Sequence, residues 1–180
     1  MVYIFMLIVA LLVFFAIVSD NVTIGGAVGD VHKNSPAVVG TFVSILNIFG
    51  LLFATAFFNN AALRDYKHKF NEILFSTPLS KPGYFFGRFL GAWLLATLVM
   101  TGVFIGMTLG SFLAPIFDWL TPDRLGPIPW GAYLSSYLLF VVPNMFFAGT
   151  IIFFLATRFK STIISFVGTL LIIVGYIISL

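Results

Sequence analysis

Long apolar runs alternate with short polar segments along this chain. A helix needs about 20 apolar residues to cross the roughly 30 Å of hydrocarbon in a lipid bilayer. Five runs satisfy this requirement, and they predict membrane spans at residues 2–18, 38–60, 89–113, 132–157 and 162–180. The runs are continuous and do not alternate between apolar and polar positions, which favours helices over a β-barrel. The pattern therefore predicts an all-α fold, a single transmembrane domain built as a polytopic bundle of about five helices.

The most polar segment of the chain, residues 64–88, lies between the second and third predicted spans. It carries seven of the fifteen charged residues. Apolar side chains recur at helical spacing from Leu63 to Leu74 and polar side chains occupy the other face, so we predict an amphipathic helix. A break follows at Pro78, because the residue before a proline avoids the α region, and Ser80 can cap the next helix. An interfacial helix that merely packs beneath the bundle has the same pattern.

Composition and charge place the chain in a membrane and orient it. The sequence is 61% hydrophobic and 8% charged, with a mean hydropathy of +1.12, whereas a soluble domain has about 25% charged residues. Seven Lys and Arg follow the second and fourth predicted spans, and two follow the first and third. The positive-inside rule therefore predicts that the linker 61–88 and the N-terminus lie in the cytoplasm. The same rule accounts for the net charge of +3, and no nucleic-acid partner is expected.

The two ends of the chain are both apolar. No basic residue precedes residues 2–18 and no small-residue cleavage site follows them, which favours a true span over a cleaved signal peptide. The last predicted span is apolar up to Leu180. Because the sequence starts and stops abruptly, we expect a fragment that is incomplete at both ends.

Residues that carry out chemistry are scarce. The chain has no cysteine, and neither His32 nor His68 belongs to a cluster with metal-ligand spacing. There is no glycine-rich phosphate loop. No charged residue falls inside a predicted span, which disfavours an ion-coupled carrier. We therefore expect a chain that is not an enzyme and has no catalytic residue, metal site or cofactor of its own.

A polar stripe runs along the second predicted span. Its members fall on one side of the helix, and they are Thr41, Ser44, Asn47, Thr55 and Asn59. Ordinary interhelical hydrogen bonding is the interpretation we favour, and a face that lines a substrate path or a subunit seam is the alternative.

Small residues and a proline mark the third and fourth predicted spans. A glycine stripe that would let another helix approach closely consists of Gly102, Gly106 and Gly110, preceded by Gly87 and Gly91. That helix could belong to the same chain, which is the default, or to another one. In the fourth span, Pro143 and Asn144 predict a kink, with or without a gating role.

The polar linker also resembles a known family. The residues that carry the resemblance are Phe70-x-Glu72-Ile73-Leu74-x-Ser76-Thr77-Pro78-x-Ser80, then Tyr84-x-x-Gly87-Arg88-Phe89-Leu90-Gly91. They are similar to the ABC-2 type permease family, and most similar to bacterial permeases that in some members continue into an M1-type aminopeptidase-like domain. The motif covers about 22 residues, and the order of spans agrees over the whole chain. The family's helix before the first span and its sixth span have no counterpart here, as expected of a fragment.

The resemblance implies a function. In that family the linker between the second and third spans is the coupling helix, which docks on an ATP-binding subunit. Carried onto this sequence, the docking residues are Arg64, Lys67, Lys69, Phe70, Glu72, Ile73, Leu74, Thr77, Pro78 and Ser80. ATP and magnesium would bind to the partner subunit, a second permease copy or paralogue would complete the transporter, and the location would be the bacterial plasma (inner) membrane. The alternative is a membrane anchor for a downstream M1-type metallopeptidase domain.

Overall fold

Helices account for the regular structure of this chain. The computed structural model describes residues 2–19, 22, 32–69, 76, 78, 80–117, 119–120 and 122–178. Within these residues there are five long helices and no β-strand: α1 Val2–Val18, α2 Pro36–Lys67, α3 Lys81–Ile116, α4 Trp130–Phe159 and α5 Thr162–Ile178. A short 3-10 turn, Pro122–Arg124, precedes α4. The all-α prediction is confirmed for this part of the chain.

Three of the helices are long and apolar enough to cross a membrane. They are α2, α3 and α4, with 32, 36 and 30 residues, and their most apolar stretches have mean hydropathies of 2.2, 2.0 and 2.2. The other two, α1 and α5, are apolar but have only 17 residues each. These lengths fit a membrane protein.

The helices around the polar linker extend further than the predicted spans. Helix α2 continues through Lys67 instead of ending near residue 60, so the first part of the predicted linker helix is the end of α2. The difference arises because the sequence criterion measured only the apolar stretch, whereas Ala62 and Leu63 continue the buried face of the same helix. Helix α3 begins at Lys81, directly after Ser80, as the capping pattern predicted.

Two compact units make up the described chain. The first contains Met1–Asn47 and Leu98–Pro143, and the second contains Ile48–Thr97 and Asn144–Leu180. In the first unit, α1 packs on the glycine stripe of α3.

The glycine stripe brings two helix backbones into contact. A methyl group placed on Gly102 or Gly106 would overlap a backbone carbonyl oxygen of α1, that of Met6 or of Ala10. One placed on Gly110 would lie 2.9 Å from Ile17 Cγ2. The helix that approaches the stripe is therefore α1 of the same chain.

The two earlier glycines of the predicted stripe behave differently. A methyl group on Gly87 or Gly91 would meet no atom of the described residues within 4 Å. Of the five glycines in the predicted stripe, therefore, only the three that face α1 closely approach another helix within the described residues.

An amide clasp joins two loops of the first unit. Asn34 Nδ2 donates to the Gly126 carbonyl oxygen at 2.6 Å, and the Gly126 N–H donates to Asn34 Oδ1 at 2.8 Å. Beside it, the Lys33 N–H donates to the Arg124 carbonyl oxygen at 2.9 Å. Lys33 Nζ donates to carbonyl oxygens at the end of α1, where a positive charge is favourable to the helix dipole. The clasp therefore connects the loops that follow α1 and α3.

Aromatic rings fill the core of the second unit. Phe58 of α2 is completely buried and packs against Phe89 and Phe153, with ring centroids 5.4 and 6.4 Å away. A methyl group on Gly149 of α4 would overlap the Phe58 ring, so the ring occupies space that only glycine leaves open. Each aromatic pair of this kind contributes about 0.5–1.5 kcal/mol beyond area burial.

Helix α4 departs from α geometry where the sequence predicted a kink. Residues Tyr137–Val141 form a π-helical segment, and the Val142 N–H donates to the Tyr137 carbonyl oxygen. Pro143 follows immediately. A proline has no N–H and its ring crowds the carbonyl group four residues earlier. The wider π turn accommodates the proline without ending the helix.

We expect Gly106→Ala to lower the free energy of unfolding by about 1–3 kcal/mol, because the added methyl group overlaps the Ala10 carbonyl oxygen. Gly91→Ala is the matched control, since it enters open space in the same helix and alanine favours helix by up to about 1 kcal/mol over glycine. Thermal unfolding of the purified protein in detergent measures both. Equal effects at the two positions would contradict the packing described for the stripe.

Candidate functional site

An ion pair links the end of α2 to the start of α3. Arg88 Nη2 donates to Asp65 Oδ1 at 2.7 Å, and Arg88 Nη1 donates to the Ala61 carbonyl oxygen at 2.6 Å. The Tyr84 hydroxyl donates to the second carboxylate oxygen, Asp65 Oδ2. The Arg88 guanidinium also lies over the Tyr84 ring, 4.8 Å from its centroid. We call Asp65, Tyr84 and Arg88 the α2–α3 clamp.

The clamp provides hydrogen-bond donors to a carboxylate that is largely buried. The Asp65 side chain is 12% exposed and the Arg88 side chain 23% exposed. Both Asp65 oxygens accept a hydrogen bond, and hydrogen bonds between ionised partners are about twice as strong as neutral ones. The clamp therefore holds the two ends of the polar linker together.

The clamp leaves several nearby cations without a carboxylate. Arg64, Lys67 and Lys69 are exposed, and within the described residues no Asp or Glu lies within 4.0 Å of any of them. Lys69, two residues beyond the end of α2, has a φ of 54°, in the left-handed region that is uncommon for residues other than glycine. These charges lie in or just beyond the last turn of α2, where they are favourable to the helix dipole.

A lysine just after the end of α4 adds a further cation to this group. Lys160, like Lys69, has a left-handed φ, at 50, and its N–H donates to the Ala156 carbonyl oxygen at 2.9 Å. Its Nζ lies 4.6 Å from the centroid of the Tyr66 ring of α2, a cation–π contact. We call Arg64, Lys67, Lys69 and Lys160 the basic surface.

Half of the predicted docking residues can be placed. Besides the three cations, Pro78 and Ser80 are exposed in the segment before α3. The other predicted docking residues lie outside the described residues, and they are Phe70, Glu72, Ile73, Leu74 and Thr77.

The side chains of the predicted polar stripe of α2 differ in their hydrogen-bond partners. Thr41 and Ser44 donate to carbonyl oxygens of their own helix at 3.0 and 2.9 Å. Thr55 makes an interhelical hydrogen bond to Thr169 of α5 at 2.7 Å. Asn47 and Asn59 are buried, and the side-chain oxygen of each accepts no hydrogen bond from any described residue. The Thr55 contact is ordinary interhelical hydrogen bonding.

A groove in the first unit was not foreseen from the sequence. It has a volume of about 470 Å³, lies between α3 and α4, and is lined almost wholly by apolar atoms. The Tyr133 hydroxyl and the Ser111 hydroxyl are buried and make no hydrogen bond within the described residues. The groove offers no acid, base or nucleophile in a reactive arrangement, and no His, Asp and Glu in the described part of the chain cluster as metal ligands would.

Comparison of the chain with protein-family models, with curated proteins and with solved structures gives no match. The functional interpretation therefore rests on the linker motif, the α2–α3 clamp and the basic surface.

The clamp was also missed from the sequence, although its residues were counted among the charges of the linker. Asp65 is the only acid among the basic residues that end α2, and Arg88 lies two turns into α3. An acidic residue near the end of one helix and a basic residue near the start of the next were the sequence feature that could have predicted the pair.

We expect Asp65→Asn or Arg88→Gln to lower the free energy of unfolding by about 2–3 kcal/mol. This lies below the roughly 3–5 kcal/mol for a fully buried pair, because water reaches part of both side chains. A double-mutant cycle of the two substitutions should show a clear coupling energy. Arg64→Gln is the control, an adjacent and exposed cation whose loss should change stability by less than about 0.5 kcal/mol. Additive effects of the two clamp substitutions would show that the pair does not hold the helices together.

Proposed function

We propose that this chain is the membrane-spanning permease subunit of an ABC-2 type transporter. In this proposal an ATP-binding subunit docks on the polar linker, hydrolyses ATP and moves the helices so that a substrate crosses the bacterial plasma membrane. The chain itself performs no covalent chemistry. ATP and magnesium belong to the partner.

The observation that carries this proposal is the basic surface beside the α2–α3 clamp. Its cations are exposed and have no carboxylate partner among the described residues. Unpaired charges on a fixed support suit recognition of another protein, since complementary charges set specificity and the rate of association. The linker motif that resembles a coupling helix begins directly after this surface.

The clamp also supplies a mechanical reason for coupling. The Arg88 and Asp65 side chains fix the point where α2 ends against the first turns of α3. A partner that pushes on the linker would therefore act on two helices of 32 and 36 residues at once. Transport by alternating closure of the bundle needs this kind of joint displacement.

A second permease copy, in this proposal, would use a surface other than the glycine stripe. Gly102 and Gly106 are already covered by α1. Apolar side chains of α5 remain exposed, among them Ile163, Leu171 and Ile178, at 75%, 68% and 79%. That face is available to lipid or to the second copy.

A site-specific photo-crosslinker at Lys67 tests the partner directly. In membranes of the organism that carries the chain, we expect it to capture a protein with a G-x-x-x-x-G-K-[ST] phosphate loop. A crosslinker at Leu134, an exposed residue of the first unit, is the control and should not capture that protein. Capture of the same ATPase at both positions, or of none at Lys67, would count against docking at the linker.

Charge reversal tests coupling. We expect Lys67→Glu to lower permease-stimulated ATP hydrolysis roughly three- to tenfold, because a like charge then faces the partner's complementary surface. Arg124→Glu makes the same charge change in the 3-10 turn before α4 and should leave stimulation unchanged. Unaltered stimulation in Lys67→Glu, at equal expression, would remove Lys67 from the coupling surface.

A further inference from the structure

A small cavity opens beside the α2–α3 clamp, and the docking proposal does not use it. Its volume is about 210 Å³, and its walls come from α2, α3 and α4. Its lining includes the buried apolar residues Ala62 and Phe153. It also includes Lys81, Tyr66 and Arg88. The cavity thus combines apolar and cationic lining residues.

One lysine lines this cavity, and a second lies close to one of the lining residues. Arg88 contributes little, because Asp65 pairs with it at 2.7 Å. Lys81 lines the cavity, and Lys160 Nζ lies 4.6 Å from the ring centroid of Tyr66, which is also a lining residue. No carboxylate in the described ranges lies within 4.0 Å of Lys81 or Lys160. An anion would therefore be attracted to the cavity.

The apolar surroundings indicate what kind of anion fits. Phe85 lines the cavity and is 44% exposed, and the adjacent Phe86 is 59% exposed. Both rings belong to a helix that is long and apolar enough to cross a membrane. Exposed rings next to a cationic wall suit a ligand with hydrocarbon at one end and a negative charge at the other.

We infer that this cavity binds the phosphate headgroup of an anionic phospholipid. Lys81 and Lys160 attract the phosphate, the lining residue Tyr66 offers a hydroxyl group, and the acyl chains lie along Phe85 and Phe86. Basic pockets between membrane helices are known to bind such headgroups. The site shares Lys160 with the basic surface, but it requires no partner protein.

The test uses the intact purified protein in a neutral detergent. Short-chain phosphatidylglycerol is the probe, short-chain phosphatidylcholine the zwitterionic comparison, and inorganic phosphate and an acidic glutamate peptide are two further arms. Binding is measured as the rise in thermal unfolding temperature with ligand concentration. We expect phosphatidylglycerol to stabilise the protein more strongly than the other three.

Matched variants locate the site. Each lysine near an anionic lipid is worth a factor of about five in affinity. We therefore expect Lys81→Gln and Lys160→Gln each to weaken phosphatidylglycerol binding about fivefold, whereas Lys67→Gln, with the same charge change outside the cavity, leaves it unchanged. Lys81→Arg keeps the charge and should retain binding, which separates loss of the ligand from damage to the fold.

Several outcomes would overturn the inference. Equal stabilisation by phosphatidylcholine would show that the headgroup charge does not matter. Equal loss in Lys67→Gln would show a diffuse attraction without a site. Binding of inorganic phosphate as tight as that of the lipid would assign the cavity to a soluble anion, and stronger stabilisation by the glutamate peptide would assign it to an acidic protein segment.

Discussion

The ion pair between Asp65 and Arg88 is the interaction on which the polar end of these helices depends. It removes the only described carboxylate from a group of basic side chains and, through Tyr84, satisfies both of its oxygens. Two consequences follow. The ends of α2 and α3 are held at a fixed distance, and the surrounding cations are left for external partners. The proposed docking surface and the proposed lipid site both use cations that have no carboxylate partner among the described residues, because Asp65 pairs with Arg88.

Elsewhere, polar side chains lie in apolar helices at little cost in free energy. Hydroxyl groups donate to carbonyl oxygens of their own helix, as Thr108 does to Phe104 at 2.8 Å and Thr150 does to Phe146 at 2.8 Å. Such bonds need no partner from another helix, so they tolerate lipid on that side. The amide oxygens of Asn47 and Asn59 are acceptors and cannot donate in this way, and neither accepts a hydrogen bond from a described residue.

Much of the fold was predictable from the sequence, because apolar length alone indicates helices in a membrane protein. The first apolar run, residues 2–18, coincides with α1, and the π-helical segment lies directly before Pro143, where a kink was predicted. The end of α2 was not predictable from apolar length, since a helix can continue past the hydrocarbon. The clamp could not be deduced either, because the pairing of Asp65 with Arg88 depends on the register between two helices, which residue types alone do not determine.

The amide clasp has a consequence for the order in which the protein assembles. Asn34 and Gly126 are 92 positions apart, and a ribosome adds ~5–20 residues per second. Asn34 is therefore synthesised roughly 5–20 s before Gly126. During that interval the residues of both α2 and α3 are synthesised. The clasp therefore closes only on a chain in which these two helices have already been synthesised.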